Sequence, residues 1–402
     1  MKEKKHILVV SQYFYPEPFR INDMCKEWVK RGYRVTVLTG IPNYPEGKTY
    51  KGYGWTKKRK ENIDGVEVIR IPLFARGKGS FRLALNYFSF VISGWFWKIF
   101  TKIKADLVFT FEVSPMTQAL IGVWYAKRRK IPHYLYVQDL WPENVEIVTG
   151  IHSKAVLNPI EKMVNYIYKR SDLIFATSES FVTEIQKRVF DDKNKVQFWP
   201  QYAEEFYAPT TEKAKEIPED NNFKIIFTGN IGQAQGLDIL PKTAKILKER
   251  QANVKFVIVG DGREKQNLLA QIENLAVSDM FVMIDRQPAE HIPQMLCACQ
   301  AAFVSFMDNP LFANTIPAKL QSYMACGMPI VAAATGETEK IITQTDCGIC
   351  VKIGDAEALA NGIAECIRRT DLAEMGVRAK AYSDEHFNKT LLMNEMDKYF
   401  NR

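Results

Sequence analysis

No apolar run in this chain is both long and unbroken. The N-terminal sequence, Met-Lys-Glu-Lys-Lys-His and then Ile7–Val10, holds too short an apolar segment for a signal peptide. Phe81–Phe100 approaches the length of a membrane span, but Asn86, Ser89, Ser93 and Gly94 interrupt its apolarity. Histidine is scarce, with five in 402 residues, and no histidine cluster accompanies the seven cysteines. Those cysteines are odd in number, and neither Cys297/Cys299 nor Cys347/Cys350 has the partner spacing of a zinc site. They read as reduced thiols in a cytosolic protein, with no resident metal or cofactor. Apolar content of 47% and charged content of 25% are ordinary globular values, which excludes disorder, a collagen-like chain and a disulfide-rich scaffold. Glycine is missing from the loop after the first apolar run, Ser11–Arg20 (SQYFYPEPFR), so no Rossmann dinucleotide fingerprint sits there.

What is present is an alternation of short β-branched or apolar runs with helix-like segments. Ile7–Val10, Val35–Thr39, Val66–Ile71, Leu107–Phe111, Tyr134–Val137, Leu173–Thr177 and Val196–Trp199 read as buried parallel strands. Asn22–Arg31, Pro115–Lys130 and Pro159–Arg170 read as helices between them. Between about 200 and 222 the chain turns polar, with Pro200, Pro209 and Pro218, and a domain boundary is placed near 205/206. The alternation restarts with Lys224–Thr228, Lys255–Gly260, Met280–Ile284, Ala301–Phe306, Pro329–Ala333 and Gly348–Val351. The expectation is two doubly wound α/β domains, 1–205 and 206–385, with ligands at the carboxyl ends of the strands. Ala381–Arg402 reads as one amphipathic helix, and its 386–402 part is expected to return to the first domain. Charge divides unevenly. Residues 1–205 carry 33 Lys+Arg against 21 Asp+Glu, a net of +12; residues 206–402 carry 21 against 25, a net of −4. The first half should attract an anionic partner.

Several motifs could carry chemistry. Residues 227–236 read Phe-Thr-Gly-Asn-Ile-Gly-Gln-Ala-Gln-Gly, between the run Phe223–Phe227 and the helix-like Leu237–Lys248. Strand, glycine turn and helix present backbone N–H groups to an anion. The glycines equally suit tight packing. Val-Gly-Asp-Gly at 259–262 closes the next strand, with Asp261 either a helix cap or a ligand contact. Thr315-Ile316-Pro317-Ala318-Lys319 opens a further helix, where Lys319 either reaches a phosphate or stays solvated. In the first half, Asp139-Leu140-Trp141-Pro142-Glu143 follows a strand and offers two carboxylates four apart as general bases or acceptor-binding groups; Asp139 could also be a cap. Glu112 follows the strand 107–111. Phe81–Phe100 holds eight aromatics among its 20 residues, with Arg76, Lys78, Arg82, Lys98, Lys102 and Lys104 around it. It reads as an interfacial helix on an anionic membrane or as a core helix.

These residues resemble a known family. The SQYFYPE opening, PNYPEG at 42–47, DLWPE at 139–143, TGNIGQAQG at 228–236, VGDG at 259–262 and TIPAKLQSYMACGMPIV at 315–331 resemble, in order and spacing, the family 4 glycosyltransferases of the GT-B fold. Within them the chain looks closest to the WbuB-like, N-acetylfucosaminyl-transferase-like enzymes of surface-polysaccharide assembly. The resemblance covers nearly the full length. It implies two Rossmann-like domains facing across a cleft and a retaining, metal-independent enzyme. The donor implied is a UDP-sugar, and the acceptor a lipid-diphosphate-linked saccharide at the cytoplasmic face of the bacterial plasma membrane.

By the same resemblance the donor would meet Gly229, Asn230, Ile231, Gly232, Gln235, Gly236, Gly260, Asp261, Gly262, Arg286, Thr315, Ile316, Pro317, Lys319 and Ser322. Glu17, Arg20, Asp139 and Trp141 would bind acceptor, and Glu112, Asp139, Glu143 and Lys319 would serve catalysis. The chain also departs from the wider pattern. The arginine and lysine common in the glycine turn are Asn230 and Gln235, two glutamates are replaced by Asn314 and Ser322, and a histidine is replaced by Gln138. Phosphate binding must then lean on backbone N–H groups and Lys319. The rival readings are a UDP-sugar epimerase of the same architecture and a non-enzymatic two-lobed binding protein. No recognised nucleic-acid motif accompanies the basic half.

Overall fold

The computed structural model describes residues 5–77, 79–190 and 192–402. Lys78, counted above among the cations near 81–104, lies outside them. The chain divides into two compact units. One comprises the described residues up to Thr177 with Phe181–Trp199 and Arg402; the other comprises Ser178–Ser180 and Pro200–Asn401. The second unit therefore also takes in 386–401, the segment expected to return to the first domain.

In the first unit the apolar runs become β1 (His6–Val10), β2 (Arg34–Gly40), β4 (Val66–Ile71), β5 (Leu107–Glu112), β6 (His133–Val137), β7 (Leu173–Ala176) and β8 (Val196–Phe198), with β3 (Lys60–Ile63) in addition. Their order in the sheet is β3-β4-β2-β1-β5-β6-β7-β8. Only β3 pairs antiparallel, as the outer arm of a hairpin with β4. Every residue of β1, β5 and β6 is buried, as the two-sided helical cover of a parallel sheet requires. The chain winds outward from β1 in one direction, then restarts beside it with β5. Loops after β1 and β5 therefore part at this reversal and leave a crevice at the carboxyl edge.

The second sheet repeats the logic. Its strands are β9 (Phe223–Asn230), β10 (Val254–Asp261), β11 (Phe281–Ile284), β12 (Ala301–Ser305), β13 (Ile330–Ala333) and β14 (Gly348–Val351), in the order β11-β10-β9-β12-β13-β14, all parallel. Successive residues point to opposite faces. Ile226, Val257, Val259, Ala302 and Val304 build one core, while Ile225, Phe227, Phe256, Ile258 and Phe303 build the other. Here the winding reverses between β9 and β12.

Three local readings are corrected. β3 is absent from the sequence reading because Lys-Glu-Asn-Ile has no apolar run; it is a polar edge strand, a composition that discourages pairing with another chain. The helix read from Pro159 spans Lys154–Arg170, with Pro159 tolerated inside it. The single helix expected over 381–402 is two, Leu372–His386 and Lys389–Phe400. The break falls at Asn388, whose side chain accepts the Leu391 N–H and so caps the second helix.

Candidate active site

At the reversal of the second sheet, β9 and β10 run in register to their last residues, with Gly260 opposite Gly229 and Asp261 opposite Asn230. The turns beyond them interlock. Ile231 N–H donates to Asp261 O at 2.8 Å, and Glu264 N–H donates to Ile231 O at 3.0 Å. A Cβ at Gly260 would meet Gly229 O at 1.9 Å; one at Gly262 would meet Ile231 O at 2.2 Å; one at Gly236, whose φ is 56°, would meet Phe306 O at 2.6 Å. Three of the glycines are thus required by backbone packing. Gly229 differs: a Cβ there would meet only Lys319, its Nζ at 3.6 Å and its Cδ at 3.7 Å. Ser305 Oγ, at the end of β12, donates to Gln235 O, and Met307 N–H donates to Ala234 O at 3.1 Å, so β12 fixes the same turn from the other side.

Lys319 stands in the first turn of the helix Ala318–Ala325. Its Nζ lies over the Phe227 ring, 5.0 Å from the centroid. It has no acidic partner among the described residues. Burial holds its ammonium down to about 8, against an ordinary 10.5. One turn on, Tyr323 OH accepts the Thr228 N–H at 2.8 Å, deep in the core. Lys319 and Tyr323 are i and i+4 on one helix face, so the tyrosine clamp holds the lysine against the end of β9. Tyr323 escaped the sequence reading; its spacing from Lys319 was the available signal.

The remaining second-unit candidates divide. Ile231 is buried and Asn230 exposed, while Gln235 Oε1 is buried with no hydrogen-bond partner among the described residues. Asp261 does not cap the next helix, which begins at Lys265 behind Glu264; its carboxylate accepts the Gly262 N–H at 2.8 Å. Arg286 is exposed just beyond β11, where Asp285 pairs with Lys265 at 2.6 Å. Thr315 Oγ1 donates to Leu311 O at 3.2 Å, Ile316 packs on the core, Pro317 precedes the helix, and Ser322 is buried within it. Gly232 borders the Asn230 side chain.

The first unit gathers carboxyl groups at its own reversal, and the structure gives two of them other occupations. Glu17 is buried, and its oxygens accept N–H groups of Asn43 (2.8 Å), Tyr44 (2.7 Å) and Phe14 (3.2 Å), tying the loop after β1 to the one after β2. Burial outweighs these bonds and pushes its carboxyl up to about 7. Glu143 accepts from Arg188 Nη2 at 2.6 Å, and Arg188 also reaches Glu161 at 3.1 Å, an ion-pair cluster that removes Glu143 from the role of free base. Trp141 is buried and donates its Nε1–H to Ser114 Oγ at 3.0 Å, so it braces a loop rather than offering a stacking face. Arg20 opens the helix Arg20–Lys30.

Glu112 and Asp139 remain. Glu112 ends β5 with no exposed surface, and neither carboxyl oxygen makes a hydrogen bond of normal geometry among the described residues, although the backbone N–H groups of Gln138 and Asp139 lie near it. Burial, then the charge of Asp139, drives its carboxyl well above the usual range. Asp139 accepts the Ser114 N–H at 2.7 Å, and burial raises it too. Ser114, missed in the sequence, thereby orients Asp139, Trp141 and Asn144 at once. His133 is a neutral core residue between Thr110 and Ser171, held down to about 3 by burial.

Both halves of the chain are similar to known protein domains. Residues 19–199 match the glycosyl transferase 4-like domain, and residues 209–382 match the glycosyl transferases group 1 domain. The putative colanic acid biosynthesis glycosyl transferase WcaI of Escherichia coli (strain K12) is 25% identical, the alignment covering 97% of this chain and 98% of that protein. Among solved structures, sucrose-phosphate synthase from Thermosynechococcus elongatus superposes with a TM-score of 0.77 at 14% identity, over 99% and 98% of the two chains. The Anabaena protein Alr3699/HepE, solved in complex with UDP-glucose, superposes with a TM-score of 0.67 at 16% identity, over 99% of each. The fold is that of the GT-B glycosyltransferases, and the chain is a glycosyltransferase.

Proposed function

We propose that this glycosyltransferase moves a sugar from a UDP-sugar to a lipid-diphosphate-linked saccharide, with retention at the anomeric carbon, in the assembly of a bacterial surface polysaccharide. An N-acetylated amino or deoxyamino sugar fits the WbuB-like motifs. The work is done at the inner face of the plasma membrane. The observation that carries the reading is Lys319: a half-buried ammonium with no acidic partner among the described residues, 3.6 Å from the Cβ position of the one glycine in the turn that faces it. A desolvated cation beside the exposed Gly229–Asn230 backbone is stabilised by an anion of high charge density, and a diphosphate is one. The complex of HepE with UDP-glucose and the colanic acid role in the name of WcaI support the donor and the pathway class.

In this reading charge develops on the leaving diphosphate as the glycosidic bond to it breaks, and Lys319 and the N–H groups of the turn stabilise that charge. The departing phosphate oxygen takes the acceptor hydroxyl proton, so no side-chain base is needed. Asp139, held by Ser114, orients the acceptor. Calorimetry with UDP tests the reading. Wild type should bind in the millimolar range or tighter, and Lys319→Ala should weaken binding on the order of tenfold to a hundredfold, the loss of one charge-assisted contact. UDP release that requires no acceptor and yields a free epimer would instead identify an epimerase.

A further inference from the structure

The helix Ser80–Phe100 is fastened by one narrow stripe. Asn86, Phe90 and Gly94 are buried. Asn86 accepts from Gln12 Nε2 at 2.8 Å and donates to Phe74 O at 2.6 Å, and a Cβ on Gly94 would collide with Ile121 at 2.2 Å. The opposite face carries Phe81, Phe88, Ile92, Trp95, Phe96 and Phe100, of which Phe81 is 81% exposed and Phe100 77%. Solvent-facing positions of a surface helix are ordinarily polar. Here they form an apolar ridge, in a helix that is not long and apolar enough to cross a membrane.

At the C-terminal end of the ridge lies a cavity of about 740 Å³, whose lining includes Trp97 and Phe100, the cations Arg34, Arg59, Lys60, Lys102 and Lys104, and Arg70, which pairs with Glu61. No carboxylate lines it among the described residues. Arg34 is paired with Glu67 at its rim, Arg59 donates to the Arg70 and Trp55 carbonyls, and Asp106 is engaged by the His6 N–H. Lys60, Lys102 and Lys104 have no acidic partner among the described residues. Residues 51–104 carry twelve Lys+Arg and three Asp+Glu, a net of +9 that exceeds the +8 of the whole chain. His6 and Arg34, which line this cavity, begin β1 and β2, so it lies at the other end of those strands from the reversal crevice and plays no part in the chemistry above.

We propose that the cavity is a headgroup site for anionic phospholipid, and that the ridge beside it enters the acyl boundary of the same bilayer. The apolar side chains supply burial in the interface, and the cluster of cations selects phosphate-bearing anionic lipid over zwitterionic lipid. Phe100 belongs to both surfaces, so a molecule seated in the cavity holds the ridge at the depth where its rings leave water. The inference extends the membrane-surface part of the proposed function to a defined ligand site, and rests on that part alone.

The test is co-sedimentation of the full chain with vesicles of phosphatidylcholine, with and without a third of phosphatidylglycerol. Wild type should pellet with the anionic vesicles only. Lys60→Gln/Lys102→Gln/Lys104→Gln should lower the partition coefficient on the order of a hundredfold, and Phe88→Ser/Phe96→Ser should lower it as well. The exposed second-unit lysines give the control: Lys213→Gln/Lys215→Gln/Lys245→Gln should change it less than about threefold, as expected for charges that take no part in a site at the cavity. Equal losses in the two lysine variants would overturn the headgroup site, and so would binding of inorganic phosphate at the cavity without binding of vesicles. Calorimetry with UDP on the same proteins separates this inference from the donor reading: vesicle binding can fail while UDP binding persists, and the reverse.

Discussion

Lys319 and Gly229 form the pair on which the donor site turns, and each was legible only in part. The sequence shows a glycine-rich turn and a lysine ninety residues on; it does not show that Gly236, Gly260 and Gly262 are needed by backbone contacts and that Gly229 alone faces the lysine. The same limit applies to the carboxylates. Glu17 and Glu143 look free in sequence because their partners, the amides at 43 and 44 and Arg188, are remote along the chain. Glu112 stood out by position, but only the packing shows that its carboxyl is sealed from water. The depressed Lys319 ammonium yields a pH prediction. Below about 8 the free protein carries the charge that a diphosphate needs; above it the proton must be taken up on binding. UDP affinity, followed by calorimetry from neutral pH to pH ~10, should hold and then fall, about tenfold per pH unit at the steepest. Lys319→Gln should bind weakly without that fall, and the ionisation of UDP itself cancels in the comparison.

At the scale of elements, strands read well and edges badly. Buried parallel strands announce themselves as continuous apolar runs, as β1, β5 and β9 do. β3 has no such run because it is an edge, and the C-terminal helices were merged because Asn388, a cap, resembles any polar residue in an amphipathic repeat. One contact between elements bears on function: Tyr323 OH is the acceptor for the Thr228 N–H and couples the lysine-bearing helix to β9. Tyr323→Phe leaves that buried N–H without a partner. Chemical denaturation should show a loss of about 1–3 kcal/mol, and UDP binding should weaken by less than it does in Lys319→Ala, because the ammonium remains and only its support loosens.

For the molecule as a whole, the division of labour is written in charge and topology. Both units are wound so that loops part at one point of the carboxyl edge, and several candidate residues of each, among them Glu112, Asp139 and the Gly229 turn, lie at or just past the ends of the strands beside it. The strong positive charge of the first half and the slight negative charge of the second were plain from composition. Their concentration around one helix and one cavity became visible only when β2, β3 and the end of that helix came together. The most direct measurement of the central claim is a crystal structure of the chain grown with UDP. Its diphosphate should lie against the backbone at Gly229 within hydrogen-bonding distance of Lys319 Nζ; a nucleotide bound elsewhere with Lys319 still unpaired would contradict the account.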